Sequence, residues 1–316
     1  MLTFTLRRAL QMLPVVLGVT IATFGLGQII PGDQASALLG PSASEEDRQA
    51  LREDLGLDEP AVSRYFTYLG NLFSGDLGRS LSFGRPVSEV LSDRLLNTLL
   101  LSGTAIVVAA VLGIAIGTWA AQKPGSARDR GLTVGVLFLN SVPSFWFGLV
   151  LIVVFSLQMP LLPATGMTAI GGGGGAFDVA AHMVLPVITL AAWSLAVIAR
   201  MTRSAVLEVI GNDYVRTARS RGVGEFRVIV RHVLPNAMPS VITVVGLQAG
   251  FLLSGAVLTE TVFSWPGIGL ALHQAISTRD IPLVQGGILV IAVAFVLINF
   301  LVDILQAYFN PKIKLA

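Results

Sequence analysis

Six apolar runs recur along the chain, at about residues 9–30, 98–121, 132–158, 182–199, 239–262 and 283–306. Each is close to the ~20 residues that an α-helix needs to cross the hydrocarbon core of a bilayer. In lipid every backbone N–H and C=O must be satisfied within the protein, so runs of this length read as six transmembrane helices. Charged residues make up only 13% of the 316 positions and hydrophobic residues 53%, which leaves room for one modest soluble segment and no separate catalytic domain. Cysteine is absent, which excludes disulfides, thiolate nucleophiles and cysteine metal sites. The net charge of +2 is too small to indicate nucleic acid.

The first run follows Arg7 and Arg8, contains Pro14 and ends at Pro31-Gly32-Asp33. A cleavable signal peptide competes with a first span here, but the run exceeds the usual ~7–15-residue signal core and no A-x-A-like site follows it. Residues 31–97 are the one extended polar region. Ser44 followed by Glu45, Glu46 and Asp47 predicts a capped acidic helix with Ala50, Leu51, Leu55 and Leu57 as its apolar residues. Tyr65, Phe66, Tyr68, Leu69, Leu72 and Phe73 predict a second helix, and Gly75 to Ser80 a loop.

Basic residues orient the spans. Arg7, Arg8, Lys123, Arg128, Arg130, Arg200, Arg203, Arg216, Arg219, Arg221, Arg227, Arg231, Lys312 and Lys314 fall on one side, which is 14 of the 21 cations. The positive-inside rule then places both termini, the 122–131 loop and the 204–235 segment in the cytoplasm.

Ser204 to Pro239 is the polar stretch between two spans where function is best sought. Val206, Val209, Ile210, Tyr214 and Ala218 recur at spacings of three and four and predict one amphipathic stripe, with Arg216, Arg219 and Arg221 off it. Gly222 and Gly224 interrupt, and Val223, Phe226, Val230 and Val233 predict a second stripe running to Pro235. Two short helices about a glycine elbow suit docking of a partner, although a basic helix resting on anionic lipid meets the same charge pattern.

Asp213-Tyr214-Val215-Arg216-Thr217-Ala218-Arg219-Ser220-Arg221-Gly222, with Leu234-Pro235 beyond, resembles the "EAA" loop of ABC-importer permeases. The usual Glu-Ala is Arg216-Thr217, with Ala218 and Gly222 kept at the small positions, which resembles the dipeptide and oligopeptide permeases. Pro31-Gly32-Asp33, Leu55 to Pro60, Gly75 to Ser80, Glu260-x-x-Phe263 with Pro266-Gly267-x-Gly269, Arg279-Asp280-x-Pro282 and Asn310-Pro311 extend that resemblance over nearly the whole chain.

The resemblance implies an all-α integral membrane protein of the type I importer kind. Its parts are an N-terminal tail and first span (1–30), an extracytoplasmic helical cap (31–97) and a five-helix core (98–316) with the coupling loop at 204–239. It implies a permease moving dipeptides or oligopeptides into the cytoplasm by alternating access; nickel chelates and glycosides are alternative cargoes of the same group. Implied partners are a second homologous permease, two cytoplasmic ATPase subunits carrying ATP and Mg, and an extracytoplasmic substrate-binding protein, in a bacterial or archaeal inner membrane. ATPase coupling is expected from Asp213, Tyr214, Arg216, Thr217, Ala218, Arg219, Arg221, Gly222, Leu234 and Pro235.

The translocation path is assigned to polar residues on the spans, namely Asn97, Asn140, Ser141, Ser144, Gln248 and Glu260, with Thr98 and Ser102 beside them. Glu260 and Asp303 also fit a place at the membrane interface, and Trp119, Trp146, Trp193 and Trp265 fit interfacial anchors. No midplane relay indicates ion coupling. The glycine tract at 171–175 lacks a following Lys-Ser or Lys-Thr, so it reads as a linker and not a phosphate cradle. His182, His232 and His273 lack metal-ligand spacing, and no cofactor or metal is expected in this chain. An intramembrane enzyme is disfavoured for want of a paired catalytic constellation, while a receptor or assembly protein that recruits a partner without transport stays open.

Overall fold

The computed structural model describes residues 2–29 and 44–309, apart from Leu55, Leu57, Ile170, Gly172 and Gly173. The segments Pro31-Gly32-Asp33 and Asn310-Pro311, with Lys312 and Lys314, lie outside the described residues. Within that range the chain is helical: α1 (Leu2–Ile29), α2 (Glu45–Asp54), α3 (Ala61–Phe73), α4 (Val87–Ala121), α5 (Ala127–Ser141), α6 (Ser144–Gln158), α7 (Ala176–Ile210), α8 (Asp213–Ser220), α9 (Glu225–Val262), α10 (Ile268–Thr278) and α11 (Ile281–Phe309). Helices α1, α4, α7, α9 and α11 are each long and apolar enough to cross a membrane.

The run at 132–158 differs from the continuous span expected of it. It is a broken pair, α5 and α6, bent by 101°. Pro143 is the cause: it has no N–H to give, and it holds the preceding Val142 extended at φ −92°, ψ 126°, so α5 stops and α6 starts afresh.

Two compact units form, each drawing on separate stretches of chain. One comprises Leu6–Thr98 and Pro266–Val296. Here both polar-segment helices form, although α2 ends at Asp54 and Leu55 and Leu57, expected among its apolar residues, lie outside the described residues; Ser44 Oγ accepts the Asp47 N–H at 3.0 Å as the N-cap of α2. Helix α3 packs on α1 through its tyrosines: Tyr65 and Tyr68 hydroxyls meet the buried Thr20 and Thr23 hydroxyls at 2.9 and 3.4 Å, and Phe24 lies edge-on to Tyr65 at 5.4 Å. Burial pushes the Tyr68 phenol pKa up. Towards its N-terminal end α1 carries exposed Leu6, Leu10, Leu13, Leu17 and Ile21, a continuous apolar stripe. Val87, Val90 and Leu91 of α4 close the unit's core with Ile268, Leu272 and Leu283.

The loop at 75–86 is tied down by one buried carboxylate. Asp280 accepts Ser80 Oγ–H at 2.6 Å and the Ser82 N–H at 2.9 Å, while its other oxygen accepts the Leu283 N–H at 3.3 Å and so caps α11. Asp280 is fully buried, and those bonds replace the water that a carboxylate otherwise demands.

The other unit comprises Met1–Thr5, Leu99–Trp265 and Leu297–Ala316. Helix α7 is its axis: 61% of its apolar window is buried, against 11% for α1. Leu101, Ala105 and Ala109 of α4 pack with Met183, Val187, Leu190 and Ile198 of α7 and with Leu252 and Ala256 of α9. Close approach of α4 to α7 rests on Gly113 and Gly117, a G-x-x-x-G pair one helical turn apart. A Cβ at Gly113 would meet Ile198 Cγ2 at 2.9 Å, and one at Gly117 would run into the carbonyl oxygen of Ala199. Asp129 of α5 is buried and bound by Arg203 of α7 through two guanidinium nitrogens, Nε and, at 2.8 Å, Nη2, with the Gly125 N–H also donating to it at 2.8 Å. That pair fastens the start of α5 to α7.

Candidate functional site

The 204–239 segment is one short helix held between two long ones. Helix α7 continues to Ile210 and stops at Gly211, so Val206, Val209 and Ile210 belong to the end of a span and not to the stripe expected to include Tyr214 and Ala218. Helix α8 restarts at Asp213. Its buried face is Val215 with Ala218, three residues apart, and Tyr214 is 45% exposed. The second expected stripe also shifts. Val228, Ile229 and Val233 are buried, while Phe226 is 82% exposed and Val230 is exposed, and the helix runs on through Leu234 and Pro235 to Val262. A π turn at Ile229–Val233 causes the change of register, and it lies where the Pro235 ring would crowd the carbonyl four residues earlier.

Gly222 makes the corner. Its φ of +78° permits a Schellman close, in which the Val223 N–H donates to Ala218 O at 3.3 Å and the Gly222 N–H to Arg219 O at 2.9 Å. Arg219 then reaches across the corner to Glu225, the first residue of α9, with Nη2 and Nε at 2.7 and 3.1 Å from its carboxylate oxygens. The carboxylate raises the Arg219 guanidinium pKa, so the pair stays ionic. Underneath, Val215, Ala218, Val228, Ile229 and Val233 share an apolar cluster with Ala121 of α4 and Val206 of α7. The corner is therefore braced by a turn, an ion pair and a common core.

Outward of that core the segment presents cations and aromatics. Arg216, Thr217 and Arg221 are exposed; Arg216 lies 3.9 Å from Asp213, and the Arg221 guanidinium has no partner among the described residues. Phe226, Arg227, Val230, Arg231 and Pro235 line one shallow depression beside the corner. The expected coupling residues thus separate into two groups. Ala218, Arg219, Gly222 and Leu234 build the corner, while Asp213, Tyr214, Arg216, Thr217, Arg221 and Pro235 face outward.

The polar residues assigned to a path are only partly brought together. Asn140 and Ser144 flank the α5–α6 break and line a cavity of about 250 Å³ with Thr189 and Ser194 of α7. Gln248 lies outside the lining but accepts the Ser194 hydroxyl at 3.0 Å, a buried contact between α7 and α9. Phe147, Trp193 and Phe251 form the aromatic wall, the last two stacked at 4.6 Å. Ser141 bonds back to Leu137 O at 2.8 Å and is not in the lining. Glu260 is twelve positions beyond Gln248, roughly 18 Å along the helix. It is fully buried rather than at an interface, and Trp265 is likewise a core residue and not an anchor. In the other unit Asn97 Nδ2 donates to Pro266 O and Thr98 Oγ1 accepts the Ile268 N–H, both at 2.9 Å, so this pair holds the start of α10.

Sequence reasoning missed Thr189, Ser194 and the aromatic wall, because their meeting depends on three helices at once. It also passed over the G-x-x-x-G pair, whose spacing is visible in the sequence.

Family models for binding-protein-dependent transport match both halves of the chain: the inner membrane component over residues 113–315 and the corresponding N-terminal component over residues 1–102. The chain belongs to this family. The permease is 43% identical over 99% of both chains to the dipeptide transport system permease protein DppB of Escherichia coli K12. It is 44% identical, at 99% of both chains, to the di/tripeptide permease DppB of Pseudomonas aeruginosa UCBPP-PA14, and 39% identical, at the same coverage, to the glutathione permease GsiC of Salmonella paratyphi A. Its fold is that of the MetNI methionine ABC transporter solved in inward-facing conformations, with a TM-score of 0.56 at 19% identity over 70% of this chain and 96% of that one. The permease is accordingly a multi-pass inner-membrane component of ABC import.

Proposed function

We propose that this permease carries di- and tripeptides into the cytoplasm, delivered by an extracytoplasmic binding protein and driven by ATP and Mg on two partner ATPase subunits, with a second similar permease completing the path. The substrate reading rests on the dipeptide and di/tripeptide relatives. The glutathione relative favours a second cargo of the same size, a γ-linked tripeptide. The observation that carries the mechanism is the braced corner at Gly222, a short helix seated between two spans with its cations turned outward. With both termini and the corner in the cytoplasm, Tyr214, Arg216, Thr217 and Arg221 would meet the ATPase surface, and Arg219, Gly222 and the Ala218–Val223 contact would keep the angle fixed. Asn140, Ser144 and the Ser194–Gln248 pair would line or shape the path at the α5–α6 break, where an irregular backbone within the membrane is tolerated because it borders a cavity.

The chain is to be solubilised from its native membrane and pulled down as wild type and as a Gly222→Pro, Arg219→Glu double variant, with ATPase assay of what accompanies each. Wild type should bring a nucleotide-hydrolysing partner and the variant should lose it, because proline cannot take φ +78° and a carboxylate in place of the Arg219 guanidinium would sit against that of Glu225. A variant that keeps the same ATPase would return this segment to a lipid-facing role.

A further inference from the structure

Between α5 and α7 lies a groove of about 300 Å³ with two unlike walls, a mainly apolar one of Leu132, Val136 and Leu137 with Thr133 on α5, and a polar one of Arg200, Arg203 and Ser204 on α7. Leu132 and Val136 are four apart, as are Arg200 and Ser204, so each wall is a single helix face. Leu137 is 60% exposed, and its neighbours Val134 and Phe138 are also exposed, which continues the apolar wall onto the surface of the helix. Arg200 is exposed and its guanidinium has no partner among the described residues. Arg203 gives two of its nitrogens to Asp129. Taken together, Arg200, Arg203 and Asp129 leave the groove one positive charge.

We propose that this groove binds one anionic phospholipid, its phosphodiester at Arg200 and the free N–H donors of Arg203, and an acyl chain along Leu132, Val136 and Leu137. A single phosphodiester monoanion matches the single net charge. The neighbouring carboxylate decides between headgroups. Both oxygens of Asp129 already accept from Arg203, and one also accepts from the Gly125 N–H, so no open carboxylate awaits the ammonium of a zwitterionic lipid. The site therefore favours phosphatidylglycerol over phosphatidylethanolamine. A free phosphate would satisfy Arg200 but leave the apolar wall uncovered.

The test is native mass spectrometry of the full chain, released with its accompanying subunits from vesicles of equal parts phosphatidylglycerol and phosphatidylethanolamine. Wild type should retain phosphatidylglycerol by about fivefold over phosphatidylethanolamine, the weight of one arginine at a membrane surface. Arg200→Gln should bring the ratio near unity, while Arg200→Lys and a control at the exposed Arg130, Arg130→Gln, should keep it. Leu137→Ser should lower retention of both lipids, and millimolar inorganic phosphate should displace neither. Equal retention by wild type, an unchanged ratio in Arg200→Gln, or displacement by inorganic phosphate would each overturn the proposal. So would an Arg200→Gln variant that keeps its lipid but sheds an accompanying subunit, which would make the groove a protein contact.

Discussion

Gly117→Ala should cost the folded chain about 3 kcal/mol, a large loss for one methyl group. The added Cβ would run into the carbonyl oxygen of Ala199 and lie 2.8 Å from Thr202 Cβ. Neither is the free end of a flexible side chain, so relief requires α4 to move off α7. Two other glycines of the same helix calibrate the effect. At Gly113 every approach is longer, with Ile198 Cγ2 at 2.9 Å, Ile198 Cβ at 3.0 Å and the Leu195 carbonyl oxygen at 3.2 Å, so Gly113→Ala should cost less. At Gly103 a Cβ meets nothing within 4 Å, and alanine there should be neutral or should gain up to about 1 kcal/mol of helix propensity. Thermal unfolding of the detergent-solubilised chain, followed by size-exclusion chromatography, should rank the three variants in that order. Equal Tm values for the Gly117 and Gly103 variants would show that α4 and α7 do not depend on this contact.

Asp280→Ala is expected to free the 75–86 loop at a cost of about 3 kcal/mol, because it strands polar groups that burial has taken from water. The Ser82 N–H and the Leu283 N–H would lose their acceptor, and the Ser80 hydroxyl its bond of 2.6 Å. Asp280→Asn keeps an amide oxygen for one donor but turns an NH2 group towards another, so its loss should be intermediate. Trypsin reads the outcome, since the Arg79–Ser80 bond lies in this loop, whereas Arg85 is shielded from it by Pro86. Cleavage there should become fast in the alanine variant and stay slow in wild type. If both are cut alike, the carboxylate does not hold the loop.

The spans were legible because runs of about twenty apolar residues leave few alternatives in lipid. Pro143 marks a kink or a helix start within 132–158, but the 101° bend was not legible, since hydropathy averages across Val142 and Pro143 while the angle depends on those two backbones. In the 204–239 segment the chemistry of the residues was readable and their grouping was not. Gly211 separates Ile210 from Asp213, and the π turn rotates Phe226 and Val230 outward, whereas a fixed period of about 3.6 residues joins all of them into stripes. Arg219 reads as a free cation until Glu225 is seen across the corner. Glu260 and Trp265 suggest a membrane interface by position in the chain, and only packing from distant residues shows them to be core. Asp280 belongs to the R-D-x-P resemblance, but its bond to Ser80 spans two hundred positions and no local pattern announces it.

Helix α9 runs for 38 residues from Glu225 to Val262, roughly 57 Å. Its helix-disturbing features, the π turn and the two prolines at 235 and 239, all fall in its first fifteen residues. Beyond Pro239 the backbone is regular α-helix to Val262, so a swing of about 5° at the corner sweeps the Glu260 end through roughly 5 Å. The compliance sits at the corner and the travel appears at the far end, the proportions of an oar in its rowlock.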